Sequence, residues 1–332
     1  MTTTRQPPEL PEVGARSRWQ VLAHRPESPA AIVLLVVGVL LSIIAPGFLT
    51  AANLQSVVVQ SSIVALIALG VNQVVLAGEI DISMGSMLGL CAMLVGTVAV
   101  EVGGLLFPLL TGLLVGGAAG ALNGFLVVKA RIPAIVVGLG MLYTLRGLLL
   151  LISGGDSVSG IPLESRILGR DEVFGLHWAL ILVAAAAALL AVVGRHTTWG
   201  RDVYAVGGNR GAARLTGLAI DRTRFFAFLG TGLATGLASL VYIGRTGGVQ
   251  PNAGFALELE IIAAVVIGGT SIAGGRGSTF APLVGALLVG VILNGMVLMN
   301  VPGVWQDAVL GGLILLAISA DGVRRRWAGE VT

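Results

Sequence analysis

From Ala30 to Ala320 the chain is a succession of apolar runs, each closed by glycine, proline or a charge, and most are long enough to cross a lipid bilayer. That pattern confines the fold more than any motif does. Inside hydrocarbon every backbone N–H and C=O must find a partner within the protein, and a continuous apolar run meets that demand by becoming a helix of about 20 residues. A composition of 55% hydrophobic and 11% charged residues, with a mean hydropathy of +0.95, lies far from that of a soluble domain. The expected fold is therefore all-α and polytopic. Ten spans are predicted, at 30–45, 56–76, 84–101, 105–128, 133–152, 177–194, 225–244, 257–273, 280–299 and 303–320. They form one transmembrane domain over 30–320, between a polar tail at 1–29 and a short tail at 321–332. The first run is preceded by Glu9, Glu12 and Glu27 and carries no convincing cleavage site, so it reads as a retained span rather than a signal peptide.

Lysine and arginine give the orientation. Ten spans put Arg5, Arg16, Arg18, Arg25, Lys129, Arg131, Arg195, Arg201, Arg210, Arg214, Arg222, Arg224, Arg276 and Arg324 to Arg326 on one side, and only Arg166, Arg170 and Arg245 on the other. The rich side is the cytoplasm, so both termini are expected there. Six of these arginines crowd residues 195–224, a polar island between the sixth and seventh spans. Within it Asn209 is a good N-cap, Arg210 to Thr216 make about two helical turns, and Gly217 is a good C-terminal cap. A short helix with small Ala212 and Ala213 on its surface suits insertion into a groove of a partner. An ordinary basic loop touching anionic lipid is the plainer reading.

Catalytic chemistry finds little support. His24, His177 and His196 are not paired with other ligands at metal-site spacing, and no Gly-x-Ser-x-Gly elbow occurs. The one lysine, Lys129, is followed by Ala130 instead of completing a phosphate-binding loop. Aromatics at 5% argue against a nucleic-acid surface. The sole cysteine, Cys91, cannot form an intramolecular disulfide and reads as a small core residue. Glycines are abundant instead. Gly112, Gly116, Gly120 and Gly124 recur every four residues and predict a helix-packing seam; Gly285, Ala286 and Gly290 read the same way.

Two polar interruptions remain. Gly268 to Ser278, with Gly268, Gly269, Gly274, Gly275 and Gly277, reads as a hairpin turn, or else as a flexible gate. Gly78 to Ser86 joins the second and third spans and carries Glu79, Asp81, Ser83 and Gly85. Asp81 or Ser83 can cap the third span there. The two acids read either as a solvated turn or as a break inside the membrane, where ionisable groups mark a pathway. Both interruptions end in Gly-Ser, which is compatible with a weak internal repeat.

At three places the chain resembles a known family. Tyr204-Ala205-Val206-Gly207-Gly208-Asn209 followed by Ala212-Ala213-Arg214-Leu215-Thr216-Gly217 is similar to the cytoplasmic coupling segment of the permease subunits of bacterial ATP-binding-cassette importers for monosaccharides. Gly78-Glu79-Ile80-Asp81-Ile82-Ser83-Met84-Gly85-Ser86 resembles that family's Gly-Gly-Ile-Asp-Leu-Ser-Val-Gly-Ser signature, and Val266 to Ser271 with Gly274 to Ser278 resembles a third. The resemblance implies a multi-pass protein of the bacterial inner membrane with no catalysis and no cofactor of its own. It implies a second permease subunit, identical or different, ATPase subunits that bind ATP and Mg, an extracytoplasmic solute-binding protein, and a sugar such as ribose, xylose, rhamnose or a furanose-like autoinducer. By the same resemblance Gly207, Gly208, Asn209, Ala212, Ala213 and Gly217 belong to the ATPase-coupling segment. Glu79 departs from the pattern by replacing a glycine, Arg210-Gly211 by standing where an acid is common, and Ala281-Pro282 by interrupting a glycine-rich opening. A proton-coupled secondary transporter of a small polar solute is the alternative.

Polar residues within spans are candidates to line a sugar path: Asn72, Gln73, Asn123, Thr144 and Asn294, each equally suited to hydrogen bonding between helices. Arg146 lies within the fifth span, where facing lipid would cost about 2.5 to 3.5 kcal/mol, so it is expected to face protein, water or an acid such as Glu79 or Asp81. Replacing it, as Arg146→Ala, is expected to damage assembly or transport; uptake that stays normal at normal expression would refute this.

Overall fold

The computed structural model describes residues 26–327. The expected tails lie largely outside that range. Helix α1 (Ser28–Ile44) is followed by α2 (Ala51–Leu76), α3 (Met84–Val102), α4 (Leu106–Val128) and α5 (Ala134–Ser153). After α6 (Ile167–Arg170), strands β1 (Glu172–Val173) and β2 (Leu176–His177) pair as an antiparallel hairpin. Then come α7 (Trp178–His196), α8 (Thr198–Gly208), α9 (Arg210–Leu215), α10 (Ile220–Thr246), α11 (Leu257–Ile267), α12 (Ala281–Leu298) and α13 (Gly303–Trp327). Helices α2, α3, α4, α5, α7, α10 and α12 are long and apolar enough to cross a membrane, while α1 and the Gly303–Ser319 part of α13 are shorter apolar helices.

A helix thus stands at each of the ten expected spans, with one correction. The eighth run, expected over 257–273, is helical only over the 11 residues Leu257–Ile267. That is about 16 Å of helix, half a bilayer. Gly268, Gly269 and the turn beyond end it on one side; on the other, residues 247–256 are a chain of turns rather than helix.

Helix α2 is the centre. Every residue from Ser61 to Leu76 is buried, which fits a helix apolar on all sides. It packs against α10, α12, α11 and α7. The predicted glycine seam of α4 lies on α10, whose own small residues complete it: Gly116 faces the Gly232 carbonyl, Gly232 faces the Gly116 carbonyl, and Gly112 and Gly236 oppose each other in the same way. Backbone thus meets backbone with no side chain between. On α12, Gly285 lies on Ala264 and Gly290 on Ser61. Cys91 is buried in the core, as its apolar surroundings imply.

Outside the spans the structure adds order where the sequence pattern is silent. The 3₁₀ turn Leu163–Ser165 and α6 are drawn onto the end of α10, where Gly169 meets Gly244 and Arg166 Nε donates to Gly244 O at 3.2 Å, and the β-hairpin packs beside α6 and α7. The polar island contains α8, a helix not expected from the sequence, ahead of the expected short helix. Thr197 caps it by accepting from Gly200 N at 3.2 Å.

A side chain at Gly232 must push α4 away from α10. Gly232→Val is expected to cost about 1–3 kcal/mol by overpacking, read as a lower unfolding midpoint in detergent. Gly38→Val, where nothing lies within 4 Å, should leave the midpoint unchanged.

Candidate functional site

The segment joining α2 to α3 breaks the helix because Gly78 takes a left-handed φ of 76°. Beyond it the chain is irregular as far as Ser83, and the two acids part company. Asp81 turns inward, where its Oδ1 accepts from Ser83 N at 2.9 Å and Ser83 Oγ at 2.7 Å, and its Oδ2 accepts from Asn123 Nδ2 at 3.1 Å. Asn123 Nδ2 also donates to Ser83 Oγ at 2.9 Å. Asp81 therefore holds the backbone N–H and hydroxyl of Ser83, just ahead of α3, and ties them to α4; neither Asp81 nor Ser83 makes the side-chain cap bond to the first turn of α3 that the sequence suggested.

Glu79 turns the other way. Its Oε1 accepts from Arg210 at 2.7 Å and from Arg224 at 2.6 Å, with the carboxylate almost wholly buried. Both arginines belong to the polar island. Each of two departures from the family pattern thus explains the other: the acid standing at a glycine position pairs with the base standing where an acid is common. A carboxylate gripped by two guanidinium groups is neither a solvated turn nor an isolated charge in the membrane. Together with Arg131, Arg214 and Asp221 these residues edge a cleft of about 750 Å³.

The three signature segments, far apart in sequence, meet at one glycine junction. Gly207 lies against the Leu76 carbonyl, which accepts from Gly275 N at 2.9 Å. Gly274 lies against Gly78, and Gly275 against Gly208. The 268–278 turn is an ordered knot: Ser271 N donates to Arg276 O at 3.0 Å, and Thr270 Oγ1 donates to Asn72 Oδ1 at 2.6 Å. Gly277 packs on Thr270, Gly268 on Ala281 and Gly269 on Pro26.

From this junction α9 projects as a separate knuckle. Asn209 Oδ1 accepts from Ala212 N at 2.9 Å, and Gly217, at a φ of 78°, closes the end. Ala213 is buried on Val206, Ile220 and Leu218, so only Ala212 of the alanine pair is a surface residue. Leu215 is 90% exposed. An isolated leucine at the tip of a small-residue helix is the feature sequence reading passed over; its spacing of three from Ala212, which puts both on one face, was the available signal.

The polar residues within spans divide sharply. Asn72 bonds Thr270 and, through Nδ2, Ser278 O at 3.1 Å; Gln73 is buried in α2; Asn123 serves Asp81; Asn294 exchanges hydrogen bonds with Asn53 at 2.8 and 3.0 Å. Asn294 thus joins α12 to α2, Asn72 ties α2 to the 268–278 turn, and Asn123 ties α4 to the segment before α3. Thr144 bonds back to Gly140 O. Arg146 differs: its Nη1 donates to Ala253 O at 2.7 Å and its guanidinium lies 6.0 Å from the Phe255 ring. Its partner is protein, and neither Glu79 nor Asp81. Gly85 lies against Gly254 and the Glu258 carboxylate, so the 247–256 segment runs along α3 where the signature glycine leaves room.

Residues 53–318 match the model of a protein family described as the branched-chain amino acid transport system permease component. The autoinducer 2 import system permease protein LsrC of Yersinia enterocolitica is 37% identical over 316 residues, covering 94% of this chain and 86% of its own length. The ribose import permease protein RbsC of Escherichia coli K12 is 35% identical over 316 residues, 93% of this chain and 97% of its own. An LsrC protein of Enterobacter sp. strain 638 is 37% identical over 306 residues, 92% and 89%. No solved structure matches.

Glu79→Ala strands two guanidinium groups at the edge of the junction. We expect a loss of about 1–3 kcal/mol, the worth of hydrogen bonds to charged groups, seen as a lower unfolding midpoint in detergent. Faster limited proteolysis between Gly207 and Arg224 should accompany it.

Proposed function

This chain belongs to the permease-component family of ATP-binding-cassette importers, and from that premise we propose how it works. It is a multi-pass protein of the bacterial inner membrane and the translocation subunit of its importer. The relatives named for autoinducer 2 and ribose favour a monosaccharide or sugar-like solute as cargo. Two such permeases, identical or paired with a related chain, enclose the path; ATPase subunits bind ATP and Mg on the cytoplasmic side, and a solute-binding protein delivers cargo outside. The arginine asymmetry supports cytoplasmic termini and a cytoplasmic island at 195–224.

One observation carries the coupling role: α9 presents an almost fully exposed Leu215 on a small-residue surface, yet is fastened at its root to the membrane helices. A helix that both protrudes and is anchored can receive a push and pass it on. ATP closes the ATPase pair and draws the two α9 helices together. The pull reaches the end of α2 through Gly207 and Leu76, α3 through Glu79 and Asp81, and the turn before α12 through Gly274 and Gly275. The permease pair opens outward to accept the sugar, and hydrolysis resets it. A proton-coupled carrier would need an acid of the break to gain and lose its charge, whereas two arginines hold Glu79 and three donors hold Asp81.

Tagged protein is expected to bring down the ATPase on purification, and Gly217→Pro or Ala212→Arg to lose it while still inserting in the membrane. ATPase binding retained by both variants would refute the docking assignment. Uptake that stops when the proton gradient collapses, with ATP maintained, would favour the carrier instead.

A further inference from the structure

Residues 247–256 leave the end of α10 and descend beside α3 without forming a helix. Val249 pairs with Val158 at 2.8 and 2.9 Å, level with Gly96; Ala253 lies on Gly89; Gly254 and Glu258 lie on Gly85. The segment therefore follows α3 from Gly96 to Gly85, about 16 Å or half a bilayer, and α11 begins only at its foot. Irregular backbone at that depth is tolerated where it is buried in protein or lines a water-filled cavity, not against lipid. A half-helix beginning at such a break is a recurrent way of building a solute site.

The surface here is unlike the lipid-facing surface elsewhere. Helix α7 exposes Leu180, Ala184, Ala185, Ala188, Leu189 and Val192, all apolar. The neighbouring face of α5 and the 247–256 segment exposes Val136, Leu139 and Leu150 too, but sets among them Tyr143 (74%), Asn252 and Phe255 (76%), with Arg146 half-exposed between them. Gly140 and Gly147 on α5 meet nothing within 4 Å, in contrast to the packed seam glycines of α4, so they leave open room along this face. Arg146 spends one of its donors on Ala253 O. Glu258 holds a buried carboxylate oxygen for which no donor stands among the described residues.

We propose that Tyr143, Arg146, Asn252, Phe255 and Glu258 form the sugar-contacting station of the translocation path. The proposal rests on the importer reading above and adds where in this chain the cargo is held. The chemistry matches a neutral, polyhydroxylated ring. Phe255 and Tyr143 offer flat faces to its C–H groups, the guanidinium and the amide donate to its oxygens, and the Glu258 carboxylate accepts from a hydroxyl. Arg146 also holds the segment in place through Ala253, so it positions Phe255 as well as meeting cargo.

The protein suits a direct test, because its single cysteine, Cys91, is fully buried. Tyr143→Cys, Asn252→Cys and Phe255→Cys would be made in the complete complex with its ATPase and treated in membranes with a water-soluble methanethiosulfonate. Leu189→Cys, 63% exposed on α7, serves as the lipid-facing reference. Thiols on a wet path should react at least about tenfold faster than the reference, since the reactive thiolate forms only in a polar setting. Ribose or autoinducer 2, whichever the complex imports, should slow labelling at 143 and 255. Phe255→Ala should raise the KM of uptake by roughly three- to tenfold, the worth of one aromatic contact, and Phe255→Tyr should restore it. Labelling no faster than at 189 would overturn the proposal, as would fast labelling that imported sugar does not slow. A complex that fails to assemble with its ATPase would instead count against the importer reading, and is seen before any labelling.

Discussion

Between two helices in a bilayer there is no water to expel, so what holds them is the closeness of their approach and the hydrogen bonds they can share. This chain meets that constraint with glycine. Along α4 and α10 the backbones touch at Gly112 with Gly236 and at Gly116 with Gly232, and the same device returns at the junction of Gly78, Gly207, Gly208, Gly274 and Gly275. Were side chains present at these points, α10 would stand off from α4, and the three segments that join the polar island to the spans would not meet. The seam sets the body of the bundle, and the junction sets its mechanical link to the cytoplasmic side.

Onto that link the chain adds charge. A buried carboxylate shared by two arginines gains little net stability after desolvation, but it is costly to break once formed and it fixes geometry. Glu79 holds Arg210 at the start of α9 and Arg224 near the start of α10, so the knuckle and the long helix are referred to one point on the α2–α3 break. Asp81, two residues on, passes that position to α3 and α4 through Ser83 and Asn123. In extended chain the two acids would share a side; the turn at Gly78 and the hold of Asp81 on Ser83 separate them into two tasks.

The outer half of the bundle follows a different rule. There Asn53 and Asn294 join α2 to α12, while Arg146 is left with a backbone carbonyl and an aromatic ring. A half-helix with an irregular lead-in stands where the eighth crossing was expected as uniform helix. The uniformly apolar outer face of α7 contrasts with that of α5, where Tyr143 and Arg146 stand among exposed aliphatics.

Much was legible in the sequence because the bilayer acts on each segment locally. Hydropathy located the ten helices, with ends off by up to seven residues, the four-residue glycine period announced the α4 seam, and Asn209 and Gly217 bracketed α9, since spanning length, small-residue spacing and capping are all decided by neighbours in the chain. The early end of α11 was announced by Gly268 and Gly269, whose turn overlaps the expected span; what was not legible is that residues 247–256 fold against Gly85 and Gly89, because nothing local to that stretch says which helix it meets. Nor was the partner of Arg146, the pairing of Glu79 with two arginines more than 130 residues away, or the solitary exposure of Leu215. Those depend on which surfaces meet, and in a chain where almost every surface is apolar, composition does not choose among them; only the close contacts of the folded bundle do.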